Sequence, residues 1–422
     1  MSAYLRWLDF SSAERDRTLE VLASLKEKST VDDLGIGIVR DQISERLCPG
    51  MSTIQTRAKY FLFVPWILRG LEESSVADDS IEHSLKQREI KLIASMKAGG
   101  KGGNDIAGLI GSDAGAALKR FPSSVYWNGL KTMGICHCAT SLNEYVRTMP
   151  EARAAQKKGQ AVSEDTDEPD EAQGSWDDNL PASGKPAQWN SFALSFAEAD
   201  YLRSRAKSCR TDAGSETLLA WCARNIEHIN PVEFGKPWEV RGKPPMEVQL
   251  QADLRHARHF SLCMWGAYAS YNVLLARTRK DDTLIARHEA ELDKWIVAIA
   301  AQCEDLAEWV KHLDDFWTWL ALPEKQQMTA YAFVESWSKV LTSLGFTPTA
   351  ENLLGRETAK LIVNRESALK LGLARLRNPK ALARWEGTAR AEPLNYRWPN
   401  AVTFLSDIRQ GLTQGRDDAH AR

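Results

Sequence analysis

Apolar positions recur at three- and four-residue intervals along most of this chain, the spacing of amphipathic helices. Residues 14–28 carry Leu19, Leu22 and Leu25 on one side, 38–47 form a second helical stretch, and 81–96 place Ile81, Leu85, Leu92 and Met96 on one face. The densest run is 47–72, LCPGMSTIQTRAKYFLFVPWILRGLE. Pro49-Gly50 predicts a turn there, and Ser52 with Gln55 three residues on predicts a capping box and a helix from about Thr53. Tyr60, Phe61, Phe63 and Trp66 then surround Pro65, which is expected to kink or end the helix. Such a segment marks the centre of a folding core. Beyond residue 190 helical patterns recur at 196–208, 215–229, 248–280, 283–320, 325–344, 350–377 and 401–412. In the stretch from 350, Glu366 and Lys370 make an i,i+4 pair, and Arg377-Asn378-Pro379 predicts a stop.

Alternation with period two is confined to short candidates near 134–140 and 190–196. Residues 150–190 differ in kind. Between Glu151 and Asn179 lie nine acidic and three basic residues with almost no large aliphatics. That composition buries too little apolar surface to offset chain entropy, so a disordered acidic linker or loop is expected. The pattern therefore predicts a mainly α, helical multi-domain protein with minor short strands. The expected divisions are an N-terminal helical domain over 1–149, the linker over 150–190, a C-terminal helical domain over 191–412 and a flexible tail over 413–422.

Composition narrows this little. At 422 residues the chain exceeds one ordinary domain, and 43% hydrophobic with 26% charged residues describes a globular protein. Fifteen tryptophans suit cores and interfaces equally. A net charge of −2 provides no global field for a polyanion, so any nucleic-acid contact must be local. Seven cysteines without paired spacing fit a reducing compartment, and the N-terminus lacks a secretory pattern. The uncharged run 260–276 is short for a span and is diluted by Ser, Tyr and Asn, so it is expected to be a buried helix. A cytoplasmic protein without a membrane segment is expected.

Residues 123–135 have the form S-x-Y-W-x-x-L-x-x-x-G-I. This predicts a winged helix-turn-helix-like element over 105–136, with Lys119, Arg120, Asn128 and Lys131 at a groove or phosphates. From Lys360 to Gln410 there are ten basic and four acidic residues. Arg365, Arg375, Arg377, Lys380, Arg384 and Arg397 alternate there with Leu376, Trp385, Tyr396 and Trp398, as phosphate neutralisation with base stacking would require. Buried arginines in an aromatic interface would read the same way.

Other constellations fall short. Cys136-His137-Cys138 lacks the fourth ligand of a structural zinc site, and an extended backbone sends His137 away from the cysteines. Asp253, His256 and His259 lack the H-E-x-x-H arrangement. GGKGGN at 99–104 is no phosphate loop, and no catalytic motif is present. No metal, cofactor or catalysis is expected, although a pocket assembled from distant residues stays open.

The segments 32–68, 123–135 and 365–412 together resemble an uncharacterised bacterial family, the domain of unknown function 6361. The resemblance brings no activity or site residue. It implies an accessory role in anti-phage defence or DNA processing, beside helicase-like or phospholipase D-like proteins. The leading expectation is thus a non-catalytic accessory protein binding DNA or a DNA-processing partner. The alternative is a protein-interaction scaffold with no nucleic-acid contact.

Overall fold

The computed structural model describes residues 32–74, 77, 80–113, 118–163, 174–390 and 392–420. It is 64% helical, with 16 helices and no sheet among the described residues, so the mainly α expectation holds. The first five helices are α1 (Gly37–Leu47), α2 (Tyr60–Glu72), α3 (Ile81–Lys101), α4 (Pro122–Thr132) and α5 (Leu142–Ser163). Then come α6 (Phe196–Lys207), α7 (Leu218–Arg224), the 32-residue α8 (Val248–Arg279) and α9 (Asp282–Ala300). The rest are α10 (Cys303–Lys311), α11 (Leu313–Leu320), α12 (Glu324–Ser343), α13 (Ala350–Leu353), α14 (Arg356–Lys370), α15 (Pro379–Ala383) and α16 (Trp398–His420). The expected helix at 14–28 lies outside the described residues. Among the described residues, no helix is long and apolar enough to cross a membrane.

The chain forms two compact units that do not follow the composition. One holds Asp41–Phe260 with the chain from Asn395 onward, and the other holds the described residues up to Arg40 with Ser261–Leu394. The boundary falls inside α8, and the acidic segment marks no division.

In the first unit the core is aromatic. Tyr60, Phe61 and Phe63 of α2 are buried with Tyr126 of α4, Phe192 and Phe404 of α16. Phe61 meets Tyr126 and Phe404 edge-on at 5.0 and 5.3 Å, the arrangement that ring quadrupoles favour. Helix α2 begins at Tyr60, not near Thr53, and runs through Pro65 to Glu72. Half of the expected capping box forms, with Ser52 N donating to Gln55 Oε1 at 3.1 Å. No helix follows because the next amides bond elsewhere. Thr56 N and Arg57 N donate to Tyr126 Oη, and Ala58 N donates to Asp407 Oδ2 at 2.9 Å. Asp407 also receives Arg57 Nε at 3.0 Å, joining the chain before α2 to α16.

The expected linker is largely structured. Residues 150–163 belong to α5, and 164–173 lie outside the described residues. Trp176 is buried against Trp127 and Tyr145 and donates to Glu72 Oε2 at 3.2 Å. Trp189 stacks on Trp66, whose indole donates to Pro181 O at 2.8 Å. The acidic count hid two tryptophans that anchor the far half of the segment. Of the expected strands, 134–140 contributes an isolated bridge, Cys136 with Trp176, and 190–196 none, while a second isolated bridge joins Arg210 and Glu216 among the described residues. The expected tail at 413–422 is helical as far as His420.

In the second unit two indoles grip one turn of α8. Trp295 donates to Leu262 O and Trp337 to Cys263 O, each at 2.9 Å. A Cβ at Gly266 would lie 2.2 Å from the Trp295 ring, so this close approach requires glycine.

Two outcomes follow for the first unit. Asp407→Ala leaves the buried Ala58 amide unbonded and takes one partner from Arg57, which keeps Asp105 and Ala107 O, and about 1–3 kcal/mol of stability should be lost in urea denaturation. The double variant with Arg57→Ala should lose less than the two single losses combined, and strict additivity would show the pair to be uncoupled. The second outcome concerns Glu89 of α3, which accepts Ser123 N at 2.7 Å and so caps α4. Burial raises its carboxyl from an ordinary 4.5 to about 7. The folded chain therefore keeps a proton that the unfolded chain releases, and this contribution fades as pH rises from about 4.5 to 7. Glu89→Gln keeps the acceptor oxygen and removes the titration. Its stability relative to wild type should climb between pH 4.5 and 8, by roughly 3 kcal/mol at most. A pH-independent difference would refute this account.

Candidate nucleic-acid interface

The basic segment is organised around Glu366, a carboxylate with no exposure. Its Oε1 accepts Tyr271 Oη at 2.5 Å and Arg375 N at 2.9 Å, and its Oε2 accepts Leu376 N at 2.9 Å. The chain leaving α14 is thereby folded back on the helix that it has just left. Asp33 receives Lys370 Nζ and, at 2.8 Å, Arg375 Nη1. Arg365 donates to the carbonyls of Leu34 and Gly35 at 2.8 and 3.0 Å and lies over the Phe333 ring. The Glu366–Lys370 pair is present at 3.6 Å.

These contacts consume the buried cations and present others. Arg365, Lys370 and Arg375 are committed to internal acceptors, while Lys360, Arg377, Lys380, Arg384 and Arg390 are exposed. Against those five stands one exposed carboxylate between 360 and 390, Glu386.

Between α14 and α15 the chain makes an apolar turn. Leu371 and Leu373 are 77% and 69% exposed, and a Cβ on Gly372 would meet nothing within 4 Å. Leu371 takes φ 49° and ψ −126°, which costs a β-carbon residue of order 1–3 kcal/mol. Asn378 ties this turn to the cations. Its Nδ2 donates to Gly372 O at 2.6 Å, and its Oδ1 accepts Lys380 N and Ala381 N. The expected stop at Arg377-Asn378-Pro379 is thus a start, with Asn as N-cap and Pro at the first helical position. Arg377 reaches back to Asn364 Oδ1 of α14 at 3.1 Å.

The other candidates lie in the other unit, and the winged helix-turn-helix expectation is corrected there. The described residues of 102–121 contain no helix, and no β-hairpin wing is present among the described residues. Gly103 and Gly108 adopt φ of 94° and 84°, which breaks helical continuation. Ile110 N and Gly108 O are bonded by Tyr60 Oη and Thr56 Oγ1. Helix α4 buries Val125, Tyr126, Trp127 and Leu130 as anchors, leaving Ser124, Asn128 and Thr132 exposed. Lys119 is exposed and Arg120 half-buried, while Lys131 donates to Thr140 O at 3.3 Å. Arg397 is engaged internally, with Glu45 Oε2 at 3.0 Å and Met51 O at 2.6 Å. Asp253 is buried beside Arg46 at 3.7 Å, and His259 is buried too, consistent with structural roles.

Sequence reasoning located the exposed cations Arg377, Lys380 and Arg384 but missed Leu371 and Leu373. Helical spacing through 377 concealed the turn, and KLGLARL offered only Gly372 as a break. In the same unit, distant segments also shape a cleft of about 470 Å³ bordered by Arg279, Thr283, Leu284 and Trp385. His288 stacks on Trp385 there and bonds Gly387 O at 2.8 Å, and burial with neighbouring Arg287 lowers the affinity of its ring for a proton.

Comparison with known proteins gives one result. Residues 1–411 match a family described as a family of unknown function (DUF6361). No curated protein and no solved structure matches. The match runs through both units and includes the turn and its cations, so this chain belongs to DUF6361.

Proposed function

We propose that this protein is a non-catalytic accessory that binds DNA through the 371–384 segment. The observation that carries the reading is the exposed Leu371–Leu373 turn, tied by Asn378 to a helix that bears Lys380 and is followed by Arg384, with Arg377 between. Arginine and lysine neutralise phosphates and release counterions. A leucine beside them suits partial insertion at a base step, the device of proteins that read DNA by deformation. The strained Leu371 backbone supports the reading, since strain of this kind concentrates at functional turns. The clamp on Glu366 and Asp33 would hold the segment ready, lowering the ordering cost of binding. As an accessory, the protein would act with a helicase-like or phospholipase D-like partner in DNA processing or anti-phage defence.

Anisotropy of a labelled duplex across a salt series tests this. Binding should weaken with salt, with a logarithmic slope of about −3 if three phosphates are neutralised. Reversing Arg377, Lys380 and Arg384 to glutamate should lower affinity at least about tenfold at low salt and flatten the slope. Leu371→Ser with Leu373→Ser should weaken binding with the slope unchanged. No binding by the wild type at low salt would end the proposal, as would preference for anionic vesicles over duplex. Affinity for a protein partner that survives both charge reversal and nuclease would favour the scaffold alternative.

A further inference from the structure

The segment that follows α4 holds two thiols side by side. Ile135 N and Cys136 N close the helix end on Leu130 O, and the chain then extends. His137 N donates to Ser175 O and Asp177 N to Ile135 O, each at 3.0 Å, which bridges Cys136 to Trp176 in antiparallel fashion. An extended backbone turns residues two apart to one side, so Cys136 and Cys138 face together and His137 turns outward. Cys138 Sγ lies 3.8 Å from Ser175 O.

The two sulfurs differ in access. Cys136 is 2% exposed, whereas Cys138 is half-buried. Both border an open cleft of about 610 Å³ whose walls include Lys131, Gly134 and His137. Lys131 Nζ is held over this stretch by Thr140 O. We propose that Cys136 and Cys138 form a hydroperoxide-reactive dithiol, with Cys138 the attacking sulfur and Cys136 its resolving partner.

The chemistry balances. The Cys138 thiolate attacks one peroxide oxygen, the O–O bond breaks, and the leaving oxygen departs as water or alcohol after protonation. Cys138 is then a sulfenic acid. The Cys136 sulfur attacks it, the S–S bond forms, the S–O bond breaks, and a second water leaves with the Cys136 proton. Two electrons from the thiol pair reduce one hydroperoxide.

The electrostatic setting agrees with these roles. The adjacent Cys136 thiol lowers the Cys138 thiol to about 7, against the opposing effect of burial, and Ser175 and Lys131 add to the lowering. Glu72 of α2 opposes it, and Tyr145 of α5, bonded to Glu72, faces the same cluster. The adjacent Cys138 thiol and burial raise Cys136. Cys48, Cys209 and Cys263 are buried and pushed up to about 12, as unreactive core thiols should be. Two residues of extended chain span about 6.6 Å, near the upper limit for a disulfide, so the oxidised bridge should be readily reduced.

The test is mass mapping of the full chain treated with hydrogen peroxide at pH 7, then alkylated and cut with trypsin. The peptide 132–147 carries both cysteines. It should lose two hydrogens, resist alkylation at both sites and recover with a dithiol reductant, while Cys303, the other half-buried cysteine, stays alkylatable. Cys136→Ser should leave a sulfenic acid on Cys138, trapped by a cyclic 1,3-diketone. Cys138→Ser should leave Cys136 unreacted. Oxidation of Cys303 at an equal or faster rate, or a 132–147 peptide that keeps both alkylations, would overturn the proposal. Both readings come from the wild-type chain, so misfolding of a variant does not weaken the test.

Discussion

Helix ends leave backbone donors without partners, and a fold with no sheet has many such ends to satisfy. In this chain buried carboxylates accept backbone donors at one helix start and in two connecting stretches, reaching from other parts of the sequence. Asp407 takes Ala58 N, Glu89 takes Ser123 N, and Glu366 takes Arg375 N and Leu376 N. Each bond is shielded from water, so it costs more to break than an exposed cap. The positions of α2, α4 and the 371–376 turn all follow from these contacts. Arg57, Arg375 and Lys370 then offset the buried negative charge, which explains why so many basic residues point inward.

That inward use of charge divides the basic segment. A carboxylate such as Asp33 draws in Lys370 and Arg375, and the backbone carbonyls of 34 and 35 draw in Arg365. The remaining cations stay in solvent beside two leucines that no core residue covers. In the proposed complex phosphates would neutralise these cations and the leucines would meet the base stack.

The thiol pair belongs to the other unit and to a different chemistry. Its reactivity would come from an extended stretch held by Ser175 and Trp176, in a region whose composition suggested no order. Redox response and nucleic-acid contact are separate proposals, resting on different residues, and each stands or falls by its own measurement.

Helical class, most helix spans and the Glu366–Lys370 pair were legible in the residues, because periodicity and i,i+4 spacing are local properties. The family was legible as well, from the aromatic block and the arginine-rich end. The start of α2 was not, since Tyr126 and Asp407 claim the amides of Thr56, Arg57 and Ala58, which a helix from Thr53 would have bonded internally or left at its first turn. Nor was the order of 174–190, where Trp176 and Trp189 outweigh the acidic residues. Asn378 could be read as a stop or a start, and the bond to Gly372 O accompanies its role as a start. Local spacing determined which residues are helical. Long-range contacts decided where helices begin, which arginines are buried and which leucines are left in solvent, because a buried donor or charge takes whatever partner the packed chain brings within reach.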